Sequence, residues 1–211
     1  MGNIDETAIS KREALVLGRP PRIPPMQTEE VIAAAREQTA KLRMAGTGDA
    51  TPVEVSDIPE MLLTLMCHPG LYEKFSGLSM QMMGQSSTLN PRDRELAILR
   101  TGWLCQAPYE FGEHVRIAKM VGISSDEIEQ VIVGSSASCW NEHERAVLRA
   151  VEELHDNAMI SDETWDMLSK RLEHKQLFEL PVLIGQFTSV AYFQNSLRFR
   201  LSQGNEGLRA R

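Results

Sequence analysis

The middle of the chain has a complete set of helix start and stop signals. Asn90 precedes Pro91, a pair that is typical of an N-cap followed by the first helical position. Ala107-Pro108 predicts a second helix start, and Gly122 predicts the end of that helix. Apolar residues recur at helical spacing within both segments. The pattern therefore predicts two consecutive helices, and no strand signal of comparable strength occurs in the chain.

The rest of the chain after residue 26 shows the same helical periodicity. Residues suited to helix starts recur along it, at Thr28, Pro69, Ser124, Asn141 and Ser161. A long apolar stretch from Lys175 to about Leu201 predicts the last helix. We therefore predict an all-α fold with a single helical domain over residues 27–211.

The first 26 residues are predicted to form an extended arm rather than a domain. The segment Arg19-Pro20-Pro21-Arg22-Ile23-Pro24-Pro25 is rich in proline, and proline favours an extended, polyproline-like conformation. The arm lies over its own subunit, crosses a neighbouring subunit or forms a partly ordered tail. The sequence does not separate these alternatives.

Composition excludes several classes of partner. The chain of 211 residues has a formal net charge of −7 and no cluster of Lys and Arg mixed with aromatic residues, so no nucleic-acid partner is predicted. Residues 1–17 lack the apolar core of a secretory signal, and no segment has the apolar length of a transmembrane helix. We expect a soluble, cytoplasmic protein that acts on a small molecule, without a membrane partner.

The cysteines are widely spaced and form no Cys-x-x-Cys pair, which disfavours a disulfide framework and a zinc site: Cys67, Cys105 and Cys139. Cys105 is either a reactive thiol or, in the interpretation we favour, a small buried apolar residue. Three histidines outside the central helices make no metal-ligand pair with carboxylates and are predicted to be structural: His68, His143 and His155. No metal site is therefore predicted.

Some titratable side chains lie on predicted helix faces whose other residues are apolar, as in a protein core. Glu110 and His114 lie within an apolar stripe of the second central helix, four residues apart, so the carboxylate and the imidazole are predicted to touch. Glu95, on the preceding helix, also borders apolar residues. The pair is either a structural ion pair, with Glu95 in solvent, or an acid and a base in a cleft. Periodicity alone does not choose between them.

Three segments together resemble the carboxymuconolactone decarboxylase family, whose superfamily includes the alkylhydroperoxidase D proteins: Asn90-Pro-Arg-Asp-Arg-Glu-Leu-Ala-Ile-Leu-Arg100, Tyr109-Glu-Phe-Gly-Glu-His114 and Ala118-Lys-Met-Val-Gly122. The resemblance covers most of the chain after the arm. It implies an alkylhydroperoxidase D-like helical bundle that assembles as a homo-oligomer, such as a trimer, a hexamer or a related form.

The hydroperoxidase branch uses the pattern Glu, eleven residues, Cys, two residues, Cys, three residues, His. Glu95 and His114 match the outer acid and base, whereas Ala107 and Glu110 occupy the two cysteine positions. A thiolate is the nucleophile of thiol peroxidase chemistry. The resemblance therefore implies that this chain lacks that mechanism, and a peroxidase that relies on Cys105 is a disfavoured alternative.

The decarboxylase branch implies a different activity, a lyase without metal or organic cofactor that acts in the breakdown of aromatic acids. In that hypothesis a protonated His114 donates a proton to carbon, Glu110 orients the imidazole, and Glu95 completes a proton relay. The expected substrate is a small carboxylated or lactone-type organic acid. A non-catalytic, small-molecule-binding oligomer is the alternative from a different class.

Three further residues are candidates for the wall of the substrate pocket under this hypothesis: Arg100, Trp103 and Tyr109. Arg100 is chosen because a carboxylated substrate would suit a guanidinium. Packing is the alternative role for each of the three.

Overall fold

A computed structural model describes residues 6–211, without the side chains of residues 42 and 45–47. All regular elements in this range are helical, which confirms the predicted all-α fold. The helices are α1 (Glu6–Val16), α2 (Glu29–Thr47), α3 (Glu60–Leu65), α4 (Pro69–Met83), α5 (Pro91–Leu104), α6 (Pro108–Met120), α7 (Ser125–Val133), α8 (Glu142–Asn157), α9 (Asp162–Ser169) and α10 (His174–Leu197). Short 3-10 turns cover Val55–Asp57 and Gly207–Arg209.

Local capping chemistry explains where the central helices start. The Asn90 side chain accepts a hydrogen bond of 2.8 Å from the backbone N–H of Asp93, and Pro91 occupies the first helical position of α5. The predicted helix start at Ser124 is a capping box at the start of α7: the side chains of Ser124 and Glu127 each accept a hydrogen bond from the other's backbone N–H. These helix starts are confirmed.

The helices divide into two compact units, residues 20–87 and a larger unit of residues 1–19 with 88–211. The smaller unit holds α2 to α4 around an apolar core of Ala35, Val53, Ile58, Leu62 and Met66. In the larger unit α5 is the central helix, with four consecutive residues from Leu96 to Leu99 that are at most 1% exposed. It packs against α6, α7, α8 and α10, so the buried groups of α5 have neighbours from all four.

The predicted extended arm over residues 1–26 is wrong for residues 6–16, which form α1. Residues 1–5 lie outside the described part. Glu13 of α1 forms an ion pair with Arg209 and accepts a hydrogen bond from the backbone N–H of Leu208. These contacts come from the far end of the chain, so local sequence does not disclose them. The proline-rich residues 20–25 do lack regular structure.

Candidate functional site

Glu95 and His114 form a buried pair between α5 and α6. The Nδ1 atom of His114 lies 2.7 Å from Oε2 of Glu95, whose side chain is 0% exposed. Arg94 brings a cation to the same carboxylate, with its Nε 3.5 Å from Oε1. A carboxylate only accepts hydrogen bonds, so Nδ1 of His114 carries the proton and donates the hydrogen bond to Glu95. This leaves Nε2 as the nitrogen that can exchange a proton with another molecule.

The His114 ring is also held by α10. Its plane is nearly perpendicular to that of Phe187, at 86°, with the ring centroids 4.9 Å apart. The imidazole is about a tenth exposed, so it is enclosed between a carboxylate on one helix and an aromatic ring on another. Its orientation is therefore set by two helices at once.

Glu110 forms no hydrogen bond with His114, so the pairing expected from their spacing on α6 is not formed. Neither carboxyl oxygen of Glu110 has a hydrogen-bond partner among the described residues, although the two side chains are one helical turn apart on α6. His114 bonds across to α5 instead, and Glu110 packs over Gly102, where a Cβ would lie 3.3 Å from Oε1. Proximity on one helix permits a contact but does not require it.

Burial dominates the chemistry of Glu110. The residue is 2% exposed, and desolvation raises the pKa of its carboxyl well above the usual range. Burial in a low-dielectric environment penalises the charged form and favours the neutral acid. The position near the start of α6 would favour a negative charge, but this helix-dipole effect is outweighed. Glu110 is thus a potential proton donor rather than a partner that orients His114.

Arg100 is committed to the protein itself. Its Nη1 donates to the carbonyls of Val131 and Ile132, at 3.0 and 2.7 Å, and its Nη2 lies 2.8 Å from Oε1 of Glu152. The guanidinium therefore ties α5 to α7 and α8. Both terminal nitrogens of the guanidinium are engaged within the protein, and a contact of Arg100 with a substrate carboxylate stays a prediction.

The two aromatic candidates pack against other aromatic rings of the larger unit. Trp103 lies on Phe111 with ring centroids 5.5 Å apart. Tyr109 is 8% exposed and meets Phe199 edge-on, with centroids 6.4 Å apart. Both geometries are those of ordinary core packing. The proposed contact of these side chains with a substrate stays a prediction.

Cys105 caps the end of α5 in a partly buried position. Burial is the main cause that raises the pKa of its thiol to about 11, and a hydrogen bond with Thr188 opposes the shift. A thiol with so high a pKa contains little thiolate near neutral pH and is a weak nucleophile there. This supports the interpretation of Cys105 as a packing residue.

A groove of about 440 Å³ opens between α8 and α10, with α5 at its base. Its lining includes Thr101, Val151, Leu154, Ile184, Thr188 and Tyr192, and none of the six predicted site residues belongs to it. Sequence reasoning did not find this groove. The signal that could have indicated it is Gly185, a glycine in the interior of α10 that also lines it.

A second buried acid and histidine pair joins α5 to α8, and sequence reasoning missed its acid. Nε2 of His143 lies 2.7 Å from Oδ2 of Asp93, and both side chains are 5% exposed. The contact gives His143 a structural role. Among residues 6–211, no group of three or more His, Cys, Asp or Glu side chains could hold a metal ion. None of the helices in this range is long and apolar enough to cross a membrane.

The carboxymuconolactone decarboxylase family model matches residues 69–153. This range includes α5 and α6 with Glu95, Glu110 and His114, so the predicted resemblance is confirmed where the candidate site lies. No curated protein matches the chain.

Solved structures share the fold. An uncharacterized peroxidase-related protein of Silicibacter sp. TM1040 aligns with a TM-score of 0.70 at 11% identity, over 89% of this chain and 96% of its own. An uncharacterized peroxidase-related protein of Ralstonia eutropha JMP134, described as an alkylhydroperoxidase AhpD core, gives 0.68 at 16% identity, over 86% and 93%. The debrominase Bmp8 in complex with 2,3,4-tribromopyrrole gives 0.67 at 17% identity, over 87% and 93%. At these identities the likeness establishes the alkylhydroperoxidase D-like fold alone.

Proposed function

We propose that the chain, whose residues 69–153 match the carboxymuconolactone decarboxylase family model, is a cofactor-independent, decarboxylase-like lyase. Its substrate in this proposal is a small carboxylated or lactone-type organic acid. The observation that carries the proposal is the buried hydrogen bond of 2.7 Å between Glu95 and His114, which holds the imidazole with Nε2 available for proton transfer. We also expect the protein to work as a homo-oligomer.

The reaction begins when the bond between the α-carbon and the substrate carboxylate breaks. Carbon dioxide leaves, and the electron pair stays on the α-carbon, delocalised into the neighbouring carbonyl as an enolate. Nε2 of a protonated His114 then gives its proton to that carbon, which yields the neutral product and a neutral imidazole. Glu95 accepts the hydrogen bond from Nδ1 throughout and stabilises the protonated imidazole. Proton transfer of this kind contributes on the order of 100- to 10,000-fold to the rate.

In this proposal Glu110 does not orient the imidazole of His114, the role that the sequence suggested for it. Because burial favours its protonated form, its O–H donates a hydrogen bond to the oxygen of the enolate. A neutral carboxylic acid in an apolar site is suited to this task, since it stabilises developing negative charge without adding its own. Glu95, and not Glu110, positions the imidazole of His114.

The test is turnover of 4-carboxymuconolactone, followed by ultraviolet absorbance and by carbon dioxide release. We expect the wild type to turn it over and His114→Ala to lose roughly 100-fold or more of the rate. His143→Ala is the matched control, because it removes another buried imidazole that is paired with a carboxylate. Turnover by His114→Ala at the wild-type rate would overturn the proposal.

A non-catalytic small-molecule-binding protein is the second candidate. The observation that favours it is the separation of the buried acid and histidine groups from the groove between α8 and α10, which none of them lines. Saturable binding of a lactone without any carbon dioxide release would support this candidate, and release that depends on His114 would exclude it. A thiol peroxidase based on Cys105 receives no support, because the pKa of that thiol is raised to about 11.

A further inference from the structure

The groove between α8 and α10 has the size of a ligand site. Its volume of about 440 Å³ falls within the range of roughly 300 to 1,000 Å³ that is typical of pockets for small molecules. It lies wholly within the larger unit, and helices from three parts of that unit build it. Such a position, between packed helices, is a common place for a binding site.

The walls of the groove are mostly apolar. Val151 and Leu154 of α8 face Pro181 and Ile184 of α10 across it. No Asp, Glu, Lys or Arg is among the described residues that line it, and His155 is the basic group at its edge. A charged ligand would lose its hydration in the groove without meeting an Asp, Glu, Lys or Arg side chain, and this is costly.

A few hydroxyl groups give the groove polarity. Thr101 and Thr188 each donate a hydrogen bond of 2.8 Å to a carbonyl of the preceding turn, so their oxygens face the groove as acceptors only. Tyr192 also lines the groove and is 65% exposed, with its hydroxyl able to donate. A bound molecule is therefore matched best when it carries both a donor and an acceptor.

Gly185 keeps the groove open. It lies in the interior of α10, where glycine costs roughly 0.5–1 kcal/mol relative to alanine. A Cβ at this position would meet nothing within 4 Å among the described residues, so no contact there requires a glycine. Because Gly185 lines the groove, any longer side chain at this position would stand inside it.

We propose that the groove between α8 and α10 is a binding site for a small, uncharged, largely apolar molecule that carries a hydrogen-bond donor and acceptor. The size, the mostly apolar walls, the lack of Asp, Glu, Lys and Arg among the described lining residues and the open Gly185 position all favour this class. The proposal goes beyond the proposed function, because none of the acid and histidine groups of the candidate site lines the groove.

The test is an amide NMR titration of the full chain with benzamide and with benzoate. The two probes share one ring and differ in charge. We expect benzamide to shift the amide signals of Gly185, Thr188 and Val151 in a saturable way. We expect the affinity for benzoate to be at least about tenfold lower than that for benzamide. This corresponds to an uncompensated charge penalty of about 1.4 kcal/mol or more.

Gly185→Leu fills the groove and is expected to abolish the benzamide shifts. Gly185→Ala adds one methyl group to the same helix and is expected to retain most of the binding. Gly77→Leu controls for the substitution itself, since Gly77 is exposed in α4 and a Cβ there also meets nothing within 4 Å. A preserved amide spectrum outside the groove verifies folding.

Three results would overturn the proposal: unchanged benzamide shifts in Gly185→Leu, equal affinity for benzoate, or shifts confined to residues outside the groove. The measurement needs no turnover. Its failure is therefore distinguishable from failure of the proposed lyase activity.

Discussion

Replacement of Glu110 by glutamine tests whether burial keeps a proton on this side chain. Glutamine has nearly the same shape but does not titrate. It places an amide in the same unpartnered environment, so the absolute stability of Glu110→Gln mixes several effects. The informative quantity is the difference in stability between the two proteins as a function of pH, because the cost of burying the amide does not vary with pH.

The direction in which stability changes with pH follows from the raised pKa of Glu110. Below the ordinary value of 4.5 the carboxyl is protonated in both the folded and the unfolded chain, and it contributes no pH dependence. Between 4.5 and the folded pKa, the folded chain holds one proton more than the unfolded chain. Stability of the wild type then falls as the pH rises, by up to about tenfold in the folding equilibrium constant per pH unit.

The pH dependence of stability that Glu110 causes needs little correction for solvent screening, because Glu110 is only 2% exposed. We therefore expect Glu110→Gln to gain stability relative to the wild type by nearly tenfold for each pH unit above 4.5. The gain stops where the pH passes the folded pKa.

Urea unfolding at half-unit steps between about pH 5 and pH 8, at constant ionic strength, measures this difference. Tryptophan fluorescence is the right signal, because all three tryptophans lie in the unit that contains Glu110. Glu142→Gln is the control, since Glu142 is exposed in α8 and its carboxylate stays in water in both states. Parallel curves for the wild type and Glu110→Gln would refute the assignment of a buried, protonated acid.

Other predictions concern groups whose roles the structure assigns. Arg100→Met should lower the free energy of unfolding by about 3 kcal/mol, because it removes the cation paired with the Glu152 carboxylate and the donor to two backbone carbonyls. Unfolding by urea checks this, and unchanged stability with weakened substrate binding would favour the receptor role instead. In a chain with Cys67→Ser and Cys139→Ser, alkylation of Cys105 by iodoacetamide should accelerate about tenfold per pH unit until the pH approaches the pKa of about 11. A plateau of the rate near pH 8 would contradict the buried, protonated thiol.

Much of the fold follows from local signals in the sequence. The cap at Asn90 and the capping box at Ser124 and Glu127 act within four residues, so the free energy that starts each helix is present in the local sequence. Apolar residues at helical spacing then predict which face is buried. These terms need no knowledge of the rest of the chain, which is why the fold class could be predicted.

The partners of the buried groups depended on the tertiary structure. His114 has Glu110 one turn away, yet it bonds to Glu95, 19 residues distant in sequence. Residues 6–16 form a helix whose Glu13 contacts Leu208 and Arg209 at the far end of the chain. The sequence by itself determined the helices and the residue types that face the interior. Only the packing of the helices decided which buried polar group meets which, because that choice depends on distances between side chains that local sequence does not contain.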